Sequence, residues 1–91
     1  MTTENAKVGL AAILTTIAEV EPMPAPQSHL YLGLQTAGVV SVNGGGEALD
    51  DWATLLRIGR ELNWWTNTAE TVTLTDVGRE KAREIEQAMV A

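Results

Sequence analysis

The sequence predicts one α+β domain, mainly helical, of about four helices plus a β-hairpin. Three observations predict it. The chain has 91 residues, enough for one hydrophobic core and too few for two. Apolar residues recur at three- and four-residue spacing in stretches punctuated by Pro, Gly and Asn. Two short runs rich in Trp, Thr and Val then flank a polar loop before the final helical stretch. Residues 1–91 are therefore expected to form a single domain.

The first helix is expected over Thr3–Val20. Thr2 or Thr3 can cap it, Glu4 suits its positive end, and Leu10, Ile13, Leu14 and Ile17 share one face. Three prolines within Glu21–Pro26 stop it and suggest a short stiff connector. Pro26 suits the first turn of a second helix, whose buried face is Leu30, Tyr31 and Leu34. That helix should end near Gln35 or Ala37, with Gly38 as the stop. Val39–Val42 reads equally as a small strand or an open loop, and Asn43 with Gly44–Gly46 as a turn.

A third helix is expected from about Ala48 to Leu62, with Trp52, Leu55, Leu56, Gly59 and Leu62 as its buried stripe. Asn63 ends it. Extended runs at Trp64–Thr66 and Thr71–Leu74 flank a loop at Asn67–Glu70. Thr75 caps the last helix, Asp76 to about Val90, with Val77, Ala82, Ile85 and Met89 expected inward.

Composition narrows the chemistry. The chain lacks cysteine, which excludes a disulfide framework, a thiolate zinc site and a cysteine nucleophile. A reducing cytoplasm is then the default compartment. The apolar stretch Val8–Val20 is broken by Thr15, Thr16 and Glu19, so neither a signal peptide nor a membrane span is expected. Twelve acidic against six basic residues give a net charge of −6, which disfavours unspecific attraction to phosphates or anionic lipid.

The element order and the segment VTLTDVGREKAREIE, with Leu74, Thr75, Gly78 and Arg79 at fixed spacing, resemble the wing and following helix of MarR-like winged helix-turn-helix regulators. LDDWATLLRIGRELNWW is similar to that family's recognition helix running into its first wing strand. The resemblance is carried by residues 49–85. It implies a winged-helix-like fold, a homodimer joined through the terminal helices, where Ala11, Ala12 and Ala18 would allow close packing, and a sequence-specific DNA-binding transcription regulator.

The residues themselves favour a different use. About ten residues, Gly38–Glu47, separate the two helices of the motif, and Glu47, Asp50 and Asp51 crowd the leading end of the third helix. Recognition helices push that end toward base edges, where carboxylates would face phosphate. The loop Asn67–Glu70 carries no Arg or Lys for a minor groove. A regulatory or protein-protein interaction module, non-catalytic and homodimeric, is thus the first expectation, and DNA binding the alternative. Thr54, Arg57, Arg60, Trp65 and Asn67 are the expected contacts in either case. Of Trp64 and Trp65 a strand can bury only one fully, and the other is expected either to lie over the hairpin or the prolines or to anchor a subunit interface.

Other motifs lead nowhere chemical. Asn43–Gly46 before a helix lacks the Lys and Ser/Thr of a phosphate loop. His29 is the one histidine, with Ser28 beside it and nothing marking a triad or a metal set. Asp50 and Asp51 point to different sides of a helix and make no acid–base pair. Neither an enzyme, a cofactor, a metal nor a small-molecule site is expected.

Overall fold

The computed structural model describes residues 3–39 and 45–90. The order is α1 (Thr3–Val20), β1 (Ala25–Pro26), α2 (Gln27–Thr36), α3 (Gly45–Glu61), β2 (Trp65–Asn67), β3 (Thr71–Leu74) and α4 (Asp76–Val90). The layout is winged-helix-like. An antiparallel sheet in the order β1-β3-β2 forms the wing side. Of the stretch expected as strand or loop, residues 40–42 lie outside the described residues, as do Asn43 and Gly44 of the expected turn; Gly45 and Gly46 do not turn but already belong to α3, which starts ahead of the expected Ala48.

Helix α1 is the hub. None of its residues from 9 to 18 is exposed, because α2, α3, α4, β1 and β3 all pack against it. Ile13, Leu14 and Ile17 meet Leu30 and Leu34 of α2, Leu55 of α3 and Val72 of β3 in one core cluster. Gly9 lets α3 approach: a Cβ there would lie 2.9 Å from Leu55 Cδ1 and 3.1 Å from Val39 Cγ1.

Two helices stop in the same way. At the end of α2, Gly38 takes φ +77°, its N–H reaches the Gln35 carbonyl at 3.1 Å, and the N–H of Val39 reaches the Leu34 carbonyl at 3.0 Å. This is a Schellman motif, completed by burial of Val39. At the end of α3, Asn63 takes φ 61°, and Asn63 and Trp64 donate to Arg60 and Gly59 at 3.0 and 2.9 Å. Asparagine tolerates this left-handed geometry better than other side chains, so both stops follow from local chemistry. Helix α4 opens on Thr75, whose hydroxyl accepts from the N–H of Gly78 at 3.1 Å and donates to the Asn63 carbonyl.

Three expectations need correction. The proline connector contributes a strand: Ala25 pairs with Val72 and Pro26 with Thr71. A proline lacks an N–H but fits a sheet edge in extended geometry, and Pro26 at φ −63° and ψ 136° is the residue before α2, not its first turn. Leu62 is 47% exposed, because the helix closes at Glu61 and the chain reverses before the stripe reaches it. Val77 is 48% exposed; its neighbour Gly78 holds the inward position instead, pressed against the Trp64 carbonyl. Ala82 and Ile85 do face the core, while the side chain of Met89 lies outside the described residues.

Candidate interaction surface

Consecutive strand residues point to opposite faces, and at Trp64–Trp65 the chain divides its two indoles accordingly. Trp65 is 1% exposed, its Nε1–H donates to the Leu56 carbonyl at 3.0 Å, and its ring occupies the space left by Gly59. It is a core residue and makes no outside contact, contrary to expectation. Trp64 is the half-buried indole. The pattern of β3 carries the signal that separates them. Val72 and Leu74 alternate with Thr71 and Thr73, and pairing of Trp65 with Leu74 puts both on the inner side.

The other expected contacts form one polar strip. Thr54 spends its hydroxyl on the Asp50 carbonyl one turn earlier, at 2.8 Å. Arg57 is exposed and lies 3.7 Å from Glu61. Arg60 reaches across to the hairpin, its Nη1 donating to Asn67 Oδ1 at 3.2 Å, while Asn67 Nδ2 donates to the Thr68 carbonyl at 3.0 Å. The structure thus joins α3 through Arg60 to Asn67, which closes β2 rather than opening the hairpin loop as expected, with Thr54 and Arg57 farther up α3. Asp50 is exposed and Asp51 half-buried at the leading end of this strip.

The remaining cations do not gather there. Arg79 places Nε 2.9 Å from Glu21 Oε2 and Nη1 2.8 Å from Asp76 Oδ1. Its guanidinium is held above its ordinary pKa by the hydrogen bond to Glu21 first and by that carboxylate's charge second, with Asp76 adding less. Arg83 pairs with Glu80 at 3.1 Å and Lys81 with Glu84 at 3.5 Å. Four of the six cations therefore sit beside carboxylates, and the described residues gather no basic face. Surface pairs of this kind are individually weak, so the missing surplus of positive charge matters more than the pairing.

The pattern that suggests the winged-helix family is accounted for by architecture. Leu74 is buried, Thr75 caps α4, Gly78 admits the Trp64 backbone, and Arg79 ties α4 to Glu21 at the end of α1. Each of the four thus has a role within the chain.

Sequence reasoning leaves one of the two indoles outside the core but does not foresee the depressions around Trp64. A shallow depression of about 400 Å³ is lined by Trp64, Val77, Lys81 and the carboxylates Asp76, Glu80 and Glu84. A second, of about 350 Å³, shares Trp64 and Lys81 and adds Lys7, Leu10, Ala11 and Ile85. The Lys81 ammonium stands 6.0 Å from the Trp64 ring centroid. This face combines parts of α1 and α4. Ala11 lies in it, whereas Ala12 and Ala18, expected to serve helix pairing between subunits, are half-buried against the core. His29 is exposed on α2. Among the described residues no group of three or more His, Asp or Glu is placed to hold a metal ion, and no helix is long and apolar enough to cross a membrane.

No family model, curated protein or solved structure matches the chain.

Proposed function

We propose that this chain is a non-catalytic protein-interaction module of winged-helix layout. The observation that carries the reading is the distribution of charge. Tight, salt-dependent duplex binding draws on about six to ten phosphate contacts, and the strip on α3 offers two arginines behind a leading end that carries Asp50 and Asp51. The chain does offer what protein interfaces use: a half-exposed indole in an apolar depression rimmed by charges of both signs.

A second reading, sequence-specific DNA binding in transcription regulation, draws on the link between Arg60 and Asn67. It joins the third helix to the wing, and Arg57 lies one turn away. Selection from a random-sequence duplex pool at low and moderate salt separates the two, with the Arg57→Ala/Arg60→Ala variant run in parallel. The interaction reading expects no enriched motif. A motif enriched by the wild type, lost in the double variant and weakening steeply with salt would replace it with the DNA reading.

A further inference from the structure

We propose that the depression between α1 and α4 binds a small amphipathic anion, a medium-chain aliphatic carboxylate. The inference goes beyond the interaction reading and shares only the Trp64 surface with it. The walls are apolar: Leu10, Ala11 and Leu14 of α1, Ile85 of α4 and Trp64 surround about 350 Å³, a volume at the lower end of those that hold small ligands. Leu14 is a core residue with 0% of its surface exposed, so the depression reaches the hydrophobic interior. Among the described residues no carboxylate lines it, and its polar side chains are the ammoniums of Lys7 and Lys81. An apolar cleft with few polar groups, set between helices, is the usual form of a small-ligand site.

The two lysines differ. Lys81 also borders the neighbouring depression, and its charge is already matched by Glu84 at 3.5 Å. Lys7 is exposed and pairs with no carboxylate among the described residues, so it is the group that sets the sign of the ligand. Its position sets the direction. Arg79 in the first turn of α4 grips Glu21 beyond the end of α1, while Ile85 shares the depression with Leu10, so the two helices run antiparallel. Trp64 packs at the start of α4, against Gly78, and therefore stands at the end of the depression opposite Lys7. An aliphatic tail over Leu14 and Trp64 thus brings its head to the Lys7 ammonium. From Lys7 to Leu14 the helix advances about 10 Å, which fixes the chain at medium length. The net charge of −6 opposes such an anion only weakly, since charges beyond about 8 Å are largely screened at physiological salt.

Titration of the full isotope-labelled chain with sodium octanoate, followed by nuclear magnetic resonance, tests this. Shifts at Leu10, Ala11, Leu14, Ile85 and the Trp64 indole should saturate together, with a Kd of roughly 0.1–1 mM. Hexanoate, two methylenes shorter, should bind about ten-fold more weakly. Octyltrimethylammonium carries the same tail with the opposite head and should also bind about ten-fold more weakly than octanoate. In Lys7→Glu, a change at an exposed position that leaves the core alone, the order of the two head groups should reverse. That reversal also shows that the variant is folded, because an unfolded chain would bind neither. No saturating shift with octanoate overturns the proposal, as do equal affinities of the wild type for the two head groups, or octanoate binding that Lys7→Glu leaves unchanged. None of these outcomes bears on the interaction-module reading, which stands or falls by the duplex selection.

Discussion

The indole of Trp65 lies over Gly59, in the space where any other residue at position 59 would carry its Cβ. A glycine inside a helix is ordinarily unfavourable by about 1 kcal/mol relative to alanine. Here the sign reverses. Gly59→Ala would drive a methyl into a rigid ring that is buried and tied to the Leu56 carbonyl, and overpacking of that kind costs about 1–3 kcal/mol. The expected result is a lower midpoint in chemical denaturation. Gly59→Ala should be partly rescued by Trp65→Phe, whose smaller ring leaves room, so the double variant should be more stable than the sum of the two changes implies.

The two neighbouring indoles should differ sharply in stability scans. Trp65→Ala empties a core site and should lose about 3–5 kcal/mol, enough to threaten a domain whose total is of order 5–15 kcal/mol. Trp64→Ala removes a half-exposed ring and its contact with Lys81, a loss of about 1 kcal/mol or less. Thermal unfolding of both variants checks the contrast, and equal losses would contradict the assignment of faces.

At the start of α4 two substitutions separate capping from packing. Thr75→Ala removes the hydroxyl that accepts from Gly78, a loss of about 1 kcal/mol. Gly78→Ala sets a methyl against the Trp64 backbone carbonyl. Backbone cannot swing aside as a side chain can, so this variant should be the less stable of the two, although its helix propensity is higher. Denaturation midpoints of the pair give the ranking.

Arg79 should act through charge without introducing a pH dependence near neutrality. Its folded pKa is raised, so the stability it contributes is fully present below the ordinary arginine value and is lost only as pH rises past it. Glu21→Gln should lower the unfolding midpoint. Arg79→Lys should do so too, since an ammonium cannot address Glu21 and Asp76 together as the guanidinium does. The difference from wild type in the Arg79→Lys variant should stay constant from about pH 6 to 9 and shrink at high salt.

Much of the fold is legible in the sequence because its signals are local. Gly38 and Asn63 stop their helices through their own left-handed tolerance, Thr75 caps through its own hydroxyl, and the bounds of α1, β3 and α4 follow from periodicity. Strand β1 is not legible in this way. Its two residues gain strand identity only by pairing with Val72 and Thr71, and prolines otherwise argue against a strand. The surface was read less well. Trp65 was expected outside although Gly59, six residues earlier, is the seat that holds it. Val77 was expected inside although Gly78 takes that place. Both errors concern which side of an element meets a neighbour, and that is decided by elements distant in sequence. Thr54, Arg57, Arg60 and Asn67 are legible as polar surface residues; the structure links Arg60 to Asn67, while Thr54 and Arg57 turn to Asp50 and Glu61 on their own helix.

Amide chemical-shift mapping by nuclear magnetic resonance tests the central claim most directly, in one sample series: dilute chain, concentrated chain, and chain with a short random-sequence duplex at low salt. The account predicts no shifts along α3 when duplex is added, at either protein concentration. Duplex-dependent shifts at Thr54, Arg57, Arg60 and Asn67, with the Trp64 face unmoved, would contradict it.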